Sequence, residues 1–150
     1  MTAGKTRVLF VCVGNSCRSQ MAEAFARSYG SDVLIPASAG LAPAMTVAPD
    51  TVRAMLAKNL DLRDHFPKSL RHLSRSRFDL VVNMTGYPLP DDIGAPILEW
   101  AVDDPVAEDY EKHCDIRDEI ECLVVGLVAR LRNESRRPRF HGQGSGRLKV

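Results

Sequence analysis

Apolar residues in this chain fall into short continuous runs, separated by longer stretches in which they recur every three or four positions. RVLFVCV (7–13) and FDLVVNM (78–84) are unbroken enough to be strands buried on both faces, and DVLIPASAG (32–40) is a further strand closing on a Ser-Ala-Gly turn. PILEWAV (96–102) is a weaker fourth. Between them, QMAEAFARSY (20–29) sets Met21, Ala22, Phe25 and Ala26 at helical spacing. APDTVRAMLAKN (48–59) opens a helix at Pro49 and Asp50 with Val52, Met55 and Leu56 on one face, and PKSLRHL (67–73) is a short helix with an entry proline. The last helix, about 107–132, repeats Ile116, Ile120, Leu123, Val124, Leu127, Val128 and Leu131 with a period near 3.6.

Strands alternating with helices require right-handed crossovers and a covered parallel sheet. The expected fold is α/β: a small doubly wound four-stranded parallel sheet with helices on both faces, one domain spanning residues 1–133. Residues 134–150 lose the pattern and hold three glycines, a proline and five basic residues, the expected composition of a disordered basic tail. In such sheets ligands sit beyond the carboxyl ends of the strands, which is where the first strand delivers Cys12.

Composition narrows the chemistry. At 150 residues with 45% apolar and 26% charged content the chain suits one globular domain, and 20 basic against 19 acidic residues give no electrostatic reason to bind nucleic acid or a membrane. No apolar run reaches the roughly 18 residues of a membrane span and no signal pattern precedes the first strand, so a cytoplasmic location is expected. The four cysteines, at 12, 17, 114 and 122, lack the paired spacing of a zinc site and are expected as thiols, with no metal and no cofactor.

The segment CVGNSCRS (12–19) carries the sharpest signal. A strand ending at Cys12 and a helix starting near Arg18 leave a tight loop, Val13, Gly14, Asn15, Ser16 and Cys17, whose backbone N–H groups can all turn inward as an anion cradle. Gly14 permits unusual dihedrals and Asn15 tolerates the left-handed region. Arg18 adds a bidentate fork that Lys would not match, and Cys12 on the floor sits in a positive field that favours its thiolate. Ser19 can donate to that sulfur, and Ser16 is small enough to line the loop. A Walker loop is excluded by the missing Gly-Lys-Ser/Thr ending, and a dinucleotide fingerprint by the missing second and third glycines. A thiolate beneath a tetrahedral oxyanion is a nucleophile, and its leaving group needs an acid. Asp104, held extended before Pro105 on a loop after a strand, supplies one, with Asp103 as competitor.

These residues resemble the Cys-x5-Arg-Ser loop of low-molecular-weight protein tyrosine phosphatases and their relatives, the thioredoxin-coupled arsenate reductases. The resemblance extends through SAG (38–40), FDLVV and the Asp-Pro loop, roughly residues 6–132. It implies Cys12 as nucleophile, Arg18 as clamp, Asp104 as acid then base, and a loop-shaping network of Asn15, Ser19 and Ser38, with no metal in catalysis. Gln20, where tyrosine phosphatases carry Pro, and Trp100 before Asp-Pro resemble the reductase branch. Yet the reductases' two relay cysteines after the third strand are missing from NMTGYPLPDDIGAP, and Val106 and Ala107 replace the phosphatases' aromatic pair.

The primary expectation is hydrolysis of phosphate monoesters, on a phosphorylated protein or small ester, through a thiophosphate. Arsenate reduction with an external thiol is the alternative, and a silent oxyanion-binding module a lesser one, disfavoured because binding alone needs neither Cys12 nor Asp104. Cys17 is either a small buried side chain or a reversible disulfide partner for Cys12. Cys114 and Cys122 read as core filler unless their helix approaches the loop. The histidines form no ligand set; His113 is expected on the surface and Glu23 as a helix-dipole complement, and a place for Tyr87 in the cleft wall is the lesser reading of that residue.

Overall fold

The computed structural model describes residues 4–73 and 77–137. Its sheet has four parallel strands, β1 (Thr6–Cys12), β2 (Leu34–Gly40), β3 (Leu80–Asn83) and β4 (Ile97–Glu99), in the order β2-β1-β3-β4. Three α-helices accompany them: α1 (Arg18–Gly30), α2 (Pro49–Leu56) and α3 (Tyr110–Arg136). The chain leaves β1 toward β2 on one side and later returns to β3 on the other. The order therefore reverses at the carboxyl end of β1, where Cys12 pairs in register with Gly40.

The continuous apolar runs have a two-sided cause. Val8, Phe10 and Cys12 of β1 join Leu80 and Val82 in a core shared with α1, α2 and α3, while Leu9, Val11 and Val81 face the opposite side. That second face is covered by single 3-10 turns at Leu70–Leu73 and Asp91–Ile93 rather than by α-helices. PKSLRHL thus becomes one 3-10 turn, because the sheet face above it is narrow enough for Leu70, Leu73 and Phe78 to close.

The last helix is displaced relative to its periodicity. Ala107 has φ +63°, outside the helical region, and Asp109 caps the first turn by accepting Lys112 N at 2.9 Å, so α3 starts at Tyr110. It then runs through the expected domain edge at 133 to Arg136, with Arg132 donating to both Asp32 oxygens at 2.8 Å and to the Tyr29 carbonyl at 2.7 Å. The rest of the expected tail, from 138 onward, lies outside the described residues. Cys114 is half-buried and Cys122 exposed, so neither fills the core that Ile116, Ile120 and Val124 build. Among the described residues no helix is long and apolar enough to cross a membrane.

The helix that carries Arg18 is clamped at its far end by close approach to α3. A methyl group at Gly30 would lie 2.6 Å from Val128 Cγ2. Gly30→Ala is expected to cost about 1–3 kcal/mol in urea denaturation, most of it recovered when Val128→Ala is added. An unchanged midpoint in the single variant would show that α1 and α3 are not held in this contact.

Candidate active site

Accounting for the carbonyls of residues 12–17 explains the loop. Cys12 O accepts from Leu41 N at 3.2 Å, Val13 O from Ala42 N at 2.8 Å, Gly14 O from Ala44 N at 2.9 Å and Ser16 O from Ala48 N at 3.1 Å. Asn15 O is taken by Gln20 Nε2 at 3.1 Å and Cys17 O by Met21 N at 3.0 Å. With these acceptors committed elsewhere, the loop's N–H groups are the part of its backbone left to receive an anion at the positive end of α1. Asn15 makes the necessary bend at φ +49°. Ser38, Ala39 and Gly40 continue β2 rather than forming the expected turn, and Gly40, its last residue, backs directly onto this bend: a Cβ there would lie 2.8 Å from Asn15 N and from Val13 O, so only glycine fits.

One backbone donor fixes the proton order from this bend to the cysteine. Lys68 N donates to Asn15 Oδ1 at 2.8 Å, which orients the amide so that Nδ2 donates to Ser19 Oγ at 2.7 Å. Ser19 then has its own hydroxyl proton left for Cys12 Sγ, 2.9 Å away, and Ser19 N adds a second, longer donor to the same sulfur at 3.4 Å. Both Asn15 and Ser19 are fully buried. Gln20 extends the network, giving Nε2 to Asn15 and to Phe66 O while Oε1 faces His65 Nδ1 at 2.9 Å. Because Nε2 meets only acceptors, Oε1 must accept from His65, and burial lowers the imidazole's tendency to charge. Sequence reasoning left His65 idle; its signal lay only in contacts 45 residues apart.

Arg18 is 4% exposed and reaches across the sheet. Its Nη1 donates to the carbonyls of Met84, at the end of β3, and of Val102. Nε is buried with no partner, and Nη2 lies 3.3 Å from Asp104 Oδ2. The Nε–Nη2 edge is therefore the one available for a planar, two-point grip on an oxyanion. Asp104 is partly exposed at the mouth and accepts Val106 N at 3.1 Å, whereas Asp103 is turned to solvent with Lys112 3.5 Å away. Geometry thus separates the two competing carboxylates in favour of Asp104.

Other expected residues sit differently. Ser38 is fully buried but donates to Glu23 Oε1, one layer behind the loop rather than to Asn15 or Ser19. Glu23 is itself 8% exposed, held by Ser38 and by the solvent-exposed Arg27 at 2.8 Å, so it is a buried carboxylate with partners of its own. Ser16 lines the loop and gives its hydroxyl to Thr46 O at 3.1 Å. Cys17 is buried, and that burial pushes its thiol up against the opposing pull of the Thr51 and Ser16 hydroxyls. Tyr87 projects into solvent, its carbonyl held by Asn83 and Thr85. His113 is buried, not on the surface, because its ring meets Thr51.

The comparisons with known proteins agree with this fold and with one another. A family model described as low molecular weight phosphotyrosine protein phosphatase matches residues 7–89. An arsenate reductase of Bacillus cereus (strain AH187) is 34% identical over 122 residues, covering 77% of this chain and 89% of its own. Among solved structures, an arsenate reductase in its phosphate-binding state superposes with a TM-score of 0.77 at 28% identity, covering 84% of this chain and 98% of its own. A low molecular weight protein tyrosine phosphatase from T. tengcongensis gives 0.71 at 27% identity, covering 83% and 99%. A four-stranded parallel sheet, an amide-lined loop from Cys12 to Arg18 and a match over more than half of the sequence agree: this chain belongs to the low molecular weight phosphotyrosine protein phosphatase family.

Proposed function

We propose that this enzyme reduces arsenate through a covalent adduct on Cys12. The observation that carries the reading is the Nε–Nη2 edge of Arg18, its Nε without a partner and its Nη2 paired only with the half-exposed Asp104, in a site that also holds the buried Cys12–Ser19 pair: a receptor for a tetrahedral oxyanion in a chain whose similar relatives bear the name arsenate reductase. The Cys12 thiolate attacks arsenic, and Asp104 gives a proton to the departing hydroxide. A second thiol then attacks the Cys12 sulfur; the new S–S bond forms as the S–As bond breaks, and its electron pair stays on arsenic, which leaves as arsenite. The segment 83–96 offers no cysteine for this step, so the second sulfur comes from Cys17 or from an external thiol.

Sequence alone ranked phosphate monoester hydrolysis first, and the names of the relatives reverse that order. Ester hydrolysis stands as the second reading, supported by the position of Asp104 at the mouth and by the structural likeness to a tyrosine phosphatase. There the same thiolate attacks phosphorus, Asp104 protonates the leaving oxygen, and as carboxylate it activates the water that releases phosphate. The solvent-facing Val106 at this mouth, in place of an aromatic ring, offers a phenyl substrate little to stack on.

One purified sample assayed both ways separates them. The expected result is arsenate-dependent oxidation of an added dithiol with equimolar arsenite, exceeding the turnover of para-nitrophenyl phosphate; ester turnover without arsenite would put hydrolysis in its place. Cys12→Ser is expected to abolish both activities. Arg18→Lys should lower kcat/KM for arsenate by about 10²–10³, as the bidentate grip is lost with the charge kept. A kcat/KM within twofold of wild type for Arg18→Lys would remove Arg18 from anion recognition.

A further inference from the structure

Asn83, the last residue of β3, is 1% exposed and takes no part in the chemistry above. A buried amide at the end of an otherwise apolar strand needs partners for its N–H groups and its oxygen, and here all are engaged. Nδ2 donates to the Tyr87 carbonyl at 2.8 Å and to the Glu99 carboxylate of β4, 3.0 Å from Oε1 and 3.2 Å from Oε2. Those partners only accept, so the amide stands one way round, with Oδ1 taking the Thr85 N–H at 3.0 Å and facing the Thr85 hydroxyl at 2.7 Å. The Thr85 N–H belongs to the same peptide unit as the Met84 carbonyl, and that carbonyl receives Arg18 Nη1. A trans peptide is planar with its N–H and C=O pointing in opposite directions, so a bond that holds one end sets the aim of the other. Asn83 Oδ1 thereby turns the Met84 carbonyl toward Arg18. The backbone carbonyl of Asn83 also takes Trp100 N at 2.9 Å, which directs the chain beyond β4 toward Val102, the second acceptor of Nη1 at 3.0 Å. Both anchors of the guanidinium lead back to one residue. Val or Leu would fill the same place on β3 without burying an amide, but would leave the Met84–Thr85 peptide free to rotate.

We propose that Asn83 is a positioning residue for oxyanion binding, acting through the Met84–Thr85 peptide that holds Arg18, and that Glu99 keeps the Asn83 amide the right way round. Neither residue touches the anion. This rests on Arg18 gripping the oxyanion, and it holds whether arsenate or a phosphate ester is turned over. Glu99 is exposed on the edge strand β4, so a surface carboxylate reaches the anion site through the chain Glu99, Asn83, Met84, Arg18.

The test measures the affinity of the full chain for inorganic phosphate from loop amide shifts in 15N spectra. The cycle comprises wild type, Asn83→Ala, Arg18→Lys and the double variant, with urea midpoints taken on the same samples. Asn83→Ala is expected to weaken phosphate binding about fivefold or more, the scale of one hydrogen bond, and to broaden or split the Arg18 Nε–H signal. In the Arg18→Lys background the same substitution should cost less than about twofold, because the fork that Asn83 aims is gone. Glu99→Ala, a surface change, should weaken phosphate in the same direction with the fold intact, and Glu99→Gln, which retains an acceptor oxygen, should restore most of the loss. Where Asn83→Ala does not fold, the same cycle run with Glu99→Ala decides. Equal losses in the two backgrounds would mark a general structural role and overturn the proposal, as would undiminished affinity in the single variants. Phosphate binding unchanged in Arg18→Lys would instead overturn the clamp reading beneath it.

Discussion

The active-site loop keeps its shape because every carbonyl from Cys12 to Cys17 has a donor on its outer side. Four of these donors are backbone N–H groups of residues 41–48, a stretch with no regular structure of its own. That stretch is fixed in turn by β2, whose Gly40 is pressed against Asn15 and Val13 too closely for any side chain. A loop of N–H groups aimed at one point is electrostatically costly in an empty apolar interior. It is stable here because the carbonyls are satisfied elsewhere and because Asn15, Gln20 and Lys68 tie the bend to the 66–68 segment. The preorganisation is built into the fold, so an oxyanion entering the loop meets donors that need not reorient.

Charge is organised around the same point. Arg18 is anchored at Nη1 by carbonyls from the segments after β3 and after β4, which leaves the Nε–Nη2 edge facing outward from that anchor and fixes the guanidinium at the sheet's carboxyl end. Asp104 holds Nη2 at 3.3 Å, so carboxylate and incoming oxyanion compete for one nitrogen. An occupied fork would loosen this pair and leave Asp104 freer to serve as an acid. On the proposed mechanism, anion binding and the acid role of Asp104 meet at one guanidinium, a geometry that a basic residue of any other shape would not provide.

Much of this was legible in the sequence because it is local. β1, the Cys12-to-Arg18 spacing and the turn-permissive Asn15 lie within a dozen residues and their physics depends on little else, whereas Gly14 does not use the positive φ open to it. The start of α3 was not legible, since the positive φ of Ala107 and the cap at Asp109 override the apolar period. The second face of the sheet also differs in detail: PKSLRHL has helical composition, but among the described residues it forms the 3-10 turn Leu70–Leu73, which shares the cover of Leu9 and Val11 with Asp91–Ile93. The burial of His113 and Glu23, the role of His65 and the seating of Ser38 behind the loop all depend on partners 15 to 62 residues away. Such polar pairs leave no periodic trace in the chain.

Amide NMR tests the central claim most directly, because it reports the inward N–H groups one by one. In a 15N-labelled Cys12→Ser sample, adding phosphate or arsenate should move the amide protons of residues 13–18 and the Arg18 Nε–H downfield with one common, saturable affinity. Shifts confined to other residues, or none at all at saturating oxyanion, would contradict the account of this loop as a preformed receptor.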